Sequence, residues 1–259
     1  MSEPKYGVAV PSDEIPYIDD ASPFDPPPTT PYAPVPGEVG KGSIGKMSKV
    51  IYWYGIMSAL LALTALPSLV IAFLLAQDAS NIPLFALAML PLGPAISAAL
   101  YTVRARYRSE DAGPWRAFWR GYRLNFFTVL KFWVPALILL GIIGFSLAFG
   151  YLMALSLPYR IGLFIVGGLV VVIAMHAVSI ATFFNFRFTD TLRLAAYQLF
   201  TNKLATVGML VVAVLAFGLL WFANEFVLLL AGGLLAILWF QQERPVLNSI
   251  YHQFTVPNA

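Results

Sequence analysis

Long uninterrupted runs of apolar residues constrain the fold of this chain more than any other feature of its sequence. From Lys49 onwards these runs alternate with short polar breaks. A helix needs about 20 predominantly apolar residues to cross the roughly 30 Å hydrocarbon core of a bilayer. The pattern predicts six transmembrane helices, at about residues 51–76, 82–103, 127–155, 160–185, 204–222 and 225–241.

The composition of the chain supports a membrane location. Hydrophobic residues make up 59% of the sequence, charged residues only 11%, and the mean hydropathy is +0.76. In soluble globular domains charged residues make up about a quarter of the sequence. The predicted fold class is therefore an all-α polytopic membrane protein with six transmembrane helices.

The last two predicted spans are separated by very little polar sequence. Only Ala223, Asn224 and Glu225 interrupt the apolar run over residues 204–240. A single helix of that length would be far too long for a bilayer. A tight hairpin between spans five and six is therefore the better interpretation.

The first 45 residues differ from the rest of the chain. They contain ten prolines, and seven acidic residues against one basic residue, Lys5, lie within the first forty positions. Such a segment buries too little apolar surface to offset the entropy lost on ordering. The sequence predicts a disordered, Pro-rich acidic cytoplasmic tail over residues 1–45, a six-helix membrane domain over 46–245, and a short cytoplasmic C-terminal tail over 246–259.

Basic residues are distributed unevenly between the two sides of the predicted bundle. With six spans, fourteen of the fifteen Lys and Arg residues beyond position 40 fall on the side of the termini, and only Arg160 falls on the other. Cytoplasmic loops carry an excess of Lys and Arg. The predicted topology therefore has both termini inside. The basic excess is suited to the anionic headgroups of the lipid bilayer, and nucleic acid is not a predicted partner.

Arginine and aromatic residues alternate in the linker between predicted spans two and three. Pro114 suits the first position of a helix, and the aromatic side chains that follow it cluster on one arc. This pattern predicts an amphipathic interfacial helix, and the second cytoplasmic linker, beginning near Asp190, predicts another. The predicted interfacial anchors are Trp115, Phe118, Trp119 and Tyr122. The arginines are interpreted either as lipid and topology determinants or as a cytoplasmic anion- or partner-binding surface: Arg104, Arg108, Arg116, Arg120 and Arg123.

One ionisable side chain is predicted to lie deep in the membrane. No Asp or Glu falls at depth in the six predicted spans, whereas His176 lies near the middle of span four, with Ser179 and Asn185 further along. Polar residues at such positions either bond to a neighbouring helix or line a functional site. His176, Ser179 and Asn185 are therefore candidates for an intramembrane polar site.

Two prolines, Pro91 and Pro94, lie in predicted span two. They predict a helix bend, which is interpreted either as a static kink or as part of a moving, ligand-lined helix.

The sequence contains no signature of a soluble enzyme. It has no phosphate-binding glycine loop with its lysine, no HExxH motif and no GxSxG motif. It has no cysteine, and no second histidine at metal-ligand spacing from His176. A non-enzymatic protein without a metal or another cofactor is therefore predicted.

Two segments of the chain carry a family resemblance. They are GPAISAALYTVRARYRSEDAGPWRAFWRGYRLNFFTVLKFW at residues 93–133 and FFNFRFTDTLRLAAYQLFTNKLATV at residues 183–207. Together they resemble the YesL-like family of bacterial integral membrane proteins of unknown function. The resemblance covers residues 50–245 and is carried by Gly93, Ala95, Tyr101, Phe118, Asn125, Phe126, Arg187, Phe188 and Asp190.

This resemblance implies a multi-pass protein of the bacterial cytoplasmic membrane. It also implies an accessory or scaffold role in ABC-type carbohydrate uptake, with ABC transporter subunits as partners. The alternative is a small-solute permease or a substrate-binding membrane subunit of a transporter. In this alternative a cavity is lined by His176, Ser179, Asn185 and the bend at Pro91 and Pro94.

Overall fold

Eight α-helices and no strand are present in the computed structural model over the residues that it describes, which are 22–25, 43–108, 113–152, 154–222 and 225–254. The helices are α1 (Ser43–Leu74), α2 (Ile82–Ala88), α3 (Leu92–Arg108), α4 (Pro114–Ala148), α5 (Leu157–Phe183), α6 (Phe188–Thr201), α7 (Lys203–Phe222) and α8 (Glu225–Phe254). The predicted all-α class is confirmed for this part of the chain.

Four of these helices, α1, α4, α5 and α7, are long and apolar enough to cross a membrane. Together α2 and α3 pass the same test as one bent span, which raises the number to five. The sixth predicted span, at 225–241, lies in the first part of α8, where several side chains fall outside the described part of the chain. The helices are thus consistent with an integral membrane protein, and the number six is not confirmed.

The interfacial helix predicted before span three is not a separate element. Helix α4 runs without a break from the arginine and aromatic residues into the apolar run that follows them. It begins at Pro114. The backbone N–H at the first position of a helix has no helical partner, so proline, which lacks that N–H, loses no hydrogen bond there. In the second linker, by contrast, a separate amphipathic helix, α6, is present.

The second predicted span is broken into α2 and α3. Pro91 lies in the connection between them and Pro94 in the first turn of α3, and the two helices are bent by 42°. Proline donates no backbone hydrogen bond and clashes with the preceding turn of a helix. The bend predicted from these two prolines lies at this break.

Two glycines bring α3 close to α4. A Cβ on Gly93 would lie 2.5 Å from the Trp133 side chain, and one on Gly121 would lie 2.7 Å from the Tyr101 side chain. Small residues at such positions allow close approach of two helix backbones. Trp133 also donates a 2.9 Å hydrogen bond through Nε1 to the carbonyl of Met89, which ties α4 to the α2–α3 break.

Both predicted tails contribute residues to the hydrophobic core. In the N-terminal region, residues 22–25 form a turn in which Phe24 is only 1% exposed. At the other end α8 continues to Phe254, and Val246, Leu247 and Ile250 are fully buried. Within the segment predicted to be a disordered tail, residues 22–25 therefore form a turn and residues 43–45 begin α1, and residues 246–254 of the predicted C-terminal tail belong to α8. The other residues of 1–42 and 255–259 lie outside the described part.

Candidate functional site

A histidine and a glutamate are paired inside the helical bundle. Nδ1 of His176 on α5 lies 2.9 Å and 3.0 Å from the two carboxylate oxygens of Glu243 on α8, and both side chains are almost completely buried. Ionisable side chains are rarely buried to this extent unless they are paired. Because α5 is long and apolar enough to span a membrane, this pair is the first candidate for a functional site.

The second ring nitrogen of His176 is buried, and no described residue offers it a hydrogen-bond partner. A neutral imidazole has one donor nitrogen and one acceptor nitrogen, whereas the protonated ring has two donors. When Nδ1 donates to Glu243, Nε2 of the neutral ring is left as an acceptor. In that state the pair can accept a hydrogen bond at Nε2.

Polar side chains continue from the pair along α5. Ser179 accepts a 2.8 Å hydrogen bond from the indole N–H of Trp239 on α8, and Thr182 lies 2.8 Å from the hydroxyl of Ser97 on α3. Asn125 on α4 donates to the carbonyl of Thr182 at 3.2 Å. Residues three apart on a helix are neighbours, so His176, Ser179 and Thr182 form a row of buried polar side chains along α5. We call this row the polar column: His176, Ser179 and Thr182 of α5 with their partners Glu243, Trp239 and Ser97.

An apolar cavity of about 330 Å³ lies beside the polar column. Its lining residues are apolar or aromatic and come from α1, α3, α4, α5, α7 and α8, and space is provided by small residues such as Gly232 and Ala236. Trp239 belongs to both features, because its side chain lines the cavity while its N–H donates to Ser179. A movement of the Trp239 side chain in the cavity would therefore also change its hydrogen bond to the polar column.

A larger groove of about 520 Å³ lies between α2 and α4, lined by residues such as Leu87 and Ile142. Like the smaller cavity, it has no ionisable group in its lining, but it contains no member of the polar column. Size alone would favour this groove, but the place of Trp239 in both the lining and the polar column favours the smaller cavity as the candidate site.

The structure brings together only part of the predicted intramembrane site. His176 and Ser179 both belong to the polar column, whereas Asn185 is exposed in the connection between α5 and α6. Asn185 therefore does not line the cavity or contact the pair. Thr182, one turn beyond Ser179 on α5, takes the place predicted for Asn185, because it is buried and hydrogen-bonded to Ser97.

The acidic partner of His176 was missed by the sequence reasoning. Glu243 follows the predicted span at 225–241 and lies in the polar run QQER, so it was assigned outside the membrane-spanning segments. The structure adds this acid to the candidate site, because α8 continues through this run and Glu243 is fully buried inside the bundle. The available signal was helical spacing, since Trp239, Glu243, Leu247 and Ile250 lie on one face of α8.

The five arginines predicted to form a cytoplasmic surface have different environments. Arg104 is half-buried, and its guanidinium carbon lies 5.2 Å and 5.4 Å from the ring centres of Phe24 and Phe183. The other four are exposed: Arg108, Arg116, Arg120 and Arg123. An anion- or partner-binding role for these four stays a prediction, and Arg104 instead holds the chain's own N-terminal residues.

The predicted interfacial anchors also divide into two groups. Trp115 is 57% exposed, and Trp119 and Tyr122 are half-buried, as side chains near an interface can be. Phe118, however, is completely buried in a core cluster with Ala95 and Ala98 of α3. Phe118 is therefore corrected from an interfacial anchor to a core residue, because small residues of α3 leave room for its ring.

Among the described residues, no group of three or more His, Cys, Asp or Glu side chains is placed to hold a metal ion.

The comparison with protein families bears on the first half of the bundle. The model of a protein family of unknown function, DUF624, matches residues 51–147, which include α2, α3 and nearly all of α4. YesL-like proteins are counted in this family, in agreement with the resemblance seen in the sequence. No curated protein and no solved structure matches the chain. Over residues 51–147 the chain is therefore similar to the proteins of unknown function in the DUF624 family.

Proposed function

We propose that this chain is an integral membrane protein that binds a small apolar solute in the cavity beside the polar column. The observation that carries the proposal is the position of Trp239, whose ring lines the cavity and whose N–H joins the polar column at Ser179. This reading corresponds to a small-solute permease or a substrate-binding membrane subunit.

The size and lining of the cavity define the class of solute. Pockets that bind small molecules typically have volumes of about 300–1,000 Å³, so a cavity of about 330 Å³ suits a small one. The lining offers apolar and aromatic surface from residues such as Leu61, Ile96 and Val212. Sugar hydroxyls would lose their hydrogen bonds to water there without replacement, which is costly. An apolar or aromatic solute fits better than a carbohydrate.

The His176–Glu243 pair supports this function by holding α5 against α8. Met175, the neighbour of His176, and Trp239, one turn before Glu243, both line the cavity. The pair therefore fixes the relative position of two helices that contribute to the cavity wall.

We further propose six spans with both termini inside the bacterial cytoplasmic membrane, and no enzymatic activity. The positive-inside distribution of Lys and Arg supports this topology. The exposed arginines of the first linker are proposed to contact anionic lipid headgroups. An accessory role in ABC-type carbohydrate uptake, with transporter subunits as partners, stays a prediction from the family resemblance.

Binding of a small aromatic probe tests the proposed site. The purified protein in lipid nanodiscs would be titrated with 5-fluoroindole, with bound probe detected by fluorine NMR. Ala236→Phe places a large side chain in the cavity, and Ala59→Phe makes the same change at an exposed position of α1. We expect the wild type and Ala59→Phe to bind equally and Ala236→Phe to lose binding. Equal binding by all three proteins would show that the probe does not occupy this cavity.

A further inference from the structure

Residues 22–25, which we call the N-terminal segment, are held in a cleft between α3, α5 and α8. Phe24 is the buried part of the segment. Its ring packs edge-on against Phe183 with 5.3 Å between ring centres, and against Phe184 at 5.8 Å. On the α3 side, the guanidinium of Arg104 lies over the same ring at 5.2 Å. The cleft therefore offers an aromatic slot closed on one side by a cation, a favourable site for a phenyl ring.

The polar residues of the segment are bound to α8. Asp25 accepts hydrogen bonds from the guanidinium of Arg244 and, at 3.1 Å, from the side-chain amide of Asn248. Ser22 donates a 2.6 Å hydrogen bond to the side-chain oxygen of Asn248. Each of these hydrogen bonds is made by a particular polar side chain of the segment. The cleft, formed by Arg104, Phe183, Phe184, Arg244 and Asn248, thus matches an aromatic residue followed by an acid.

The cleft lies at one end of the polar column. On α5 the last residue of the column, Thr182, directly precedes Phe183, which contacts Phe24. From His176 to Thr182 the helix rises by about 9 Å, at 1.5 Å per residue. Phe24 therefore packs at the end of α5 where the column terminates, and the buried pair lies at the other end of the column.

The contacts of the segment are suited to reversible binding. The Arg244 and Asp25 side chains are 32% and 39% exposed, and an ion pair that water can reach is weak. Phe24 is the single fully buried apolar side chain of the segment. The segment is tethered to α1 through residues 26–42, and a tether keeps the local concentration of a released ligand high.

We propose that the N-terminal segment is a releasable plug that binds its own cleft through Phe24 and Asp25 and shields the Thr182 end of the polar column from water. This role goes beyond solute binding in the cavity and does not depend on it, because the plug occupies a different set of residues.

Thiol accessibility tests the plug directly, since the chain contains no cysteine. Thr182→Cys places a single thiol at the end of the column next to Phe183. The rate of its modification by a water-soluble maleimide would be measured on the full-length protein in nanodiscs, which expose both faces. We expect slow modification in the otherwise native chain and an increase of about tenfold or more when Phe24→Ala is added, because the buried ring is the main contact of the plug. An unchanged rate would overturn the proposal.

Recognition of the segment is tested by adding it back as a separate peptide. A peptide of residues 19–29 should slow the modification of Thr182→Cys in the Phe24→Ala background, whereas the same peptide with alanine in place of Phe24 should not. Failure of the native peptide to slow modification at millimolar concentration would overturn the claim that the cleft recognises this sequence.

Two controls separate release of the plug from loss of the fold. Phe73→Ala removes an equally large ring from an exposed position of α1 and should leave the rate unchanged. Met209→Cys reports from a fully buried position on α7 and should stay protected when Phe24→Ala is present. Modification at Met209→Cys in that background would indicate general unfolding. Asp25→Asn, which keeps the ring of Phe24, would then replace Phe24→Ala. It should raise the modification rate of Thr182→Cys by a smaller factor. No increase with Asp25→Asn would then count against the plug.

Discussion

Nδ1 of His176 lies 2.9 Å from Oε2 of Glu243, although the two residues are 67 positions apart in the chain. This contact joins α5 to α8 at a point where neither side chain reaches water. Removal of one partner from such a pair leaves the other ionisable group buried alone, which typically costs about 3–5 kcal/mol. The loss of stability therefore depends on whether one or both of these side chains are replaced.

We expect His176→Leu and Glu243→Met each to lower the free energy of unfolding by about 3–5 kcal/mol. The double variant that combines these two replacements should cost much less than the two single variants together, because no uncompensated polar group remains buried. Unfolding in mixed micelles, arranged as a double-mutant cycle, measures this difference. Strictly additive effects would mean that the two side chains are not coupled.

The pH dependence of the plug follows from Asp25, which lies outside the candidate spans. The pKa of Asp25 is held below its usual value mainly by the hydrogen bond from Arg244, and burial opposes this effect. The hydrogen bond from Asn248 and the charge of His252 lower the pKa further. A lowered folded-state pKa stabilises the docked segment above the unfolded pKa, and this stabilisation is lost as pH falls through the folded value. A fluorine label on Ser22→Cys should report release of the segment in acid. With Asp25→Asn the acid-dependent part of the signal should disappear.

Close packing of α3 against α4 makes Gly93 sensitive to substitution. A methyl group there would meet the ring of Trp133, so we expect Gly93→Ala to lower the free energy of unfolding by about 1–3 kcal/mol. Gly168→Ala is the matched control, because nothing lies within 4 Å of its added Cβ. That substitution should be neutral or stabilise α5 by up to about 1 kcal/mol. Thermal unfolding of both variants in the same detergent makes the comparison, and equal effects would argue against the close approach.

Two aromatic residues of α4 should respond differently to truncation. Phe118→Ala empties a core position and should cost about 3–5 kcal/mol of unfolding free energy. Trp115→Ala removes a largely exposed ring and should change the unfolding free energy little in detergent. Its effect, if the ring contacts lipid headgroups, should appear as weaker binding of anionic lipid by native mass spectrometry. A large loss of stability with Trp115→Ala would contradict this division.

The number of spans can be tested by finding on which side of the membrane each end of the bundle lies. Six spans place Met47 on α1 and Gln253 on α8 on the same side, and both are exposed. Single cysteines at these positions should react with an impermeant reagent only after right-side-out vesicles are opened. A cysteine at Tyr159, at the start of α5, should react in sealed vesicles. Reaction of Gln253→Cys in sealed vesicles, with Met47→Cys protected, would require an odd number of spans.

The helical class was predictable because long apolar runs are a local property of the sequence. The continuity of α4 was not, since an interfacial helix and the entrance of a span have the same local pattern of arginine and aromatic residues. Glu243 was missed because its burial depends on the extension of α8 beyond its apolar run. The docking of residues 22–25 depends on Arg244, more than two hundred positions away, and no local rule contains that information.

Helix α8 carries parts of all three features, with Trp239 in the cavity wall, Glu243 in the pair and Asn248 in the cleft. Pro245 lies inside the helix between the last two, where it removes a backbone donor and permits a local change of helix direction. A solute against Trp239 and the segment against Asn248 therefore bias the position of one shared element. If they favour different positions of α8, each must weaken the affinity of the other by the same factor, and if they favour the same position, each must strengthen it equally.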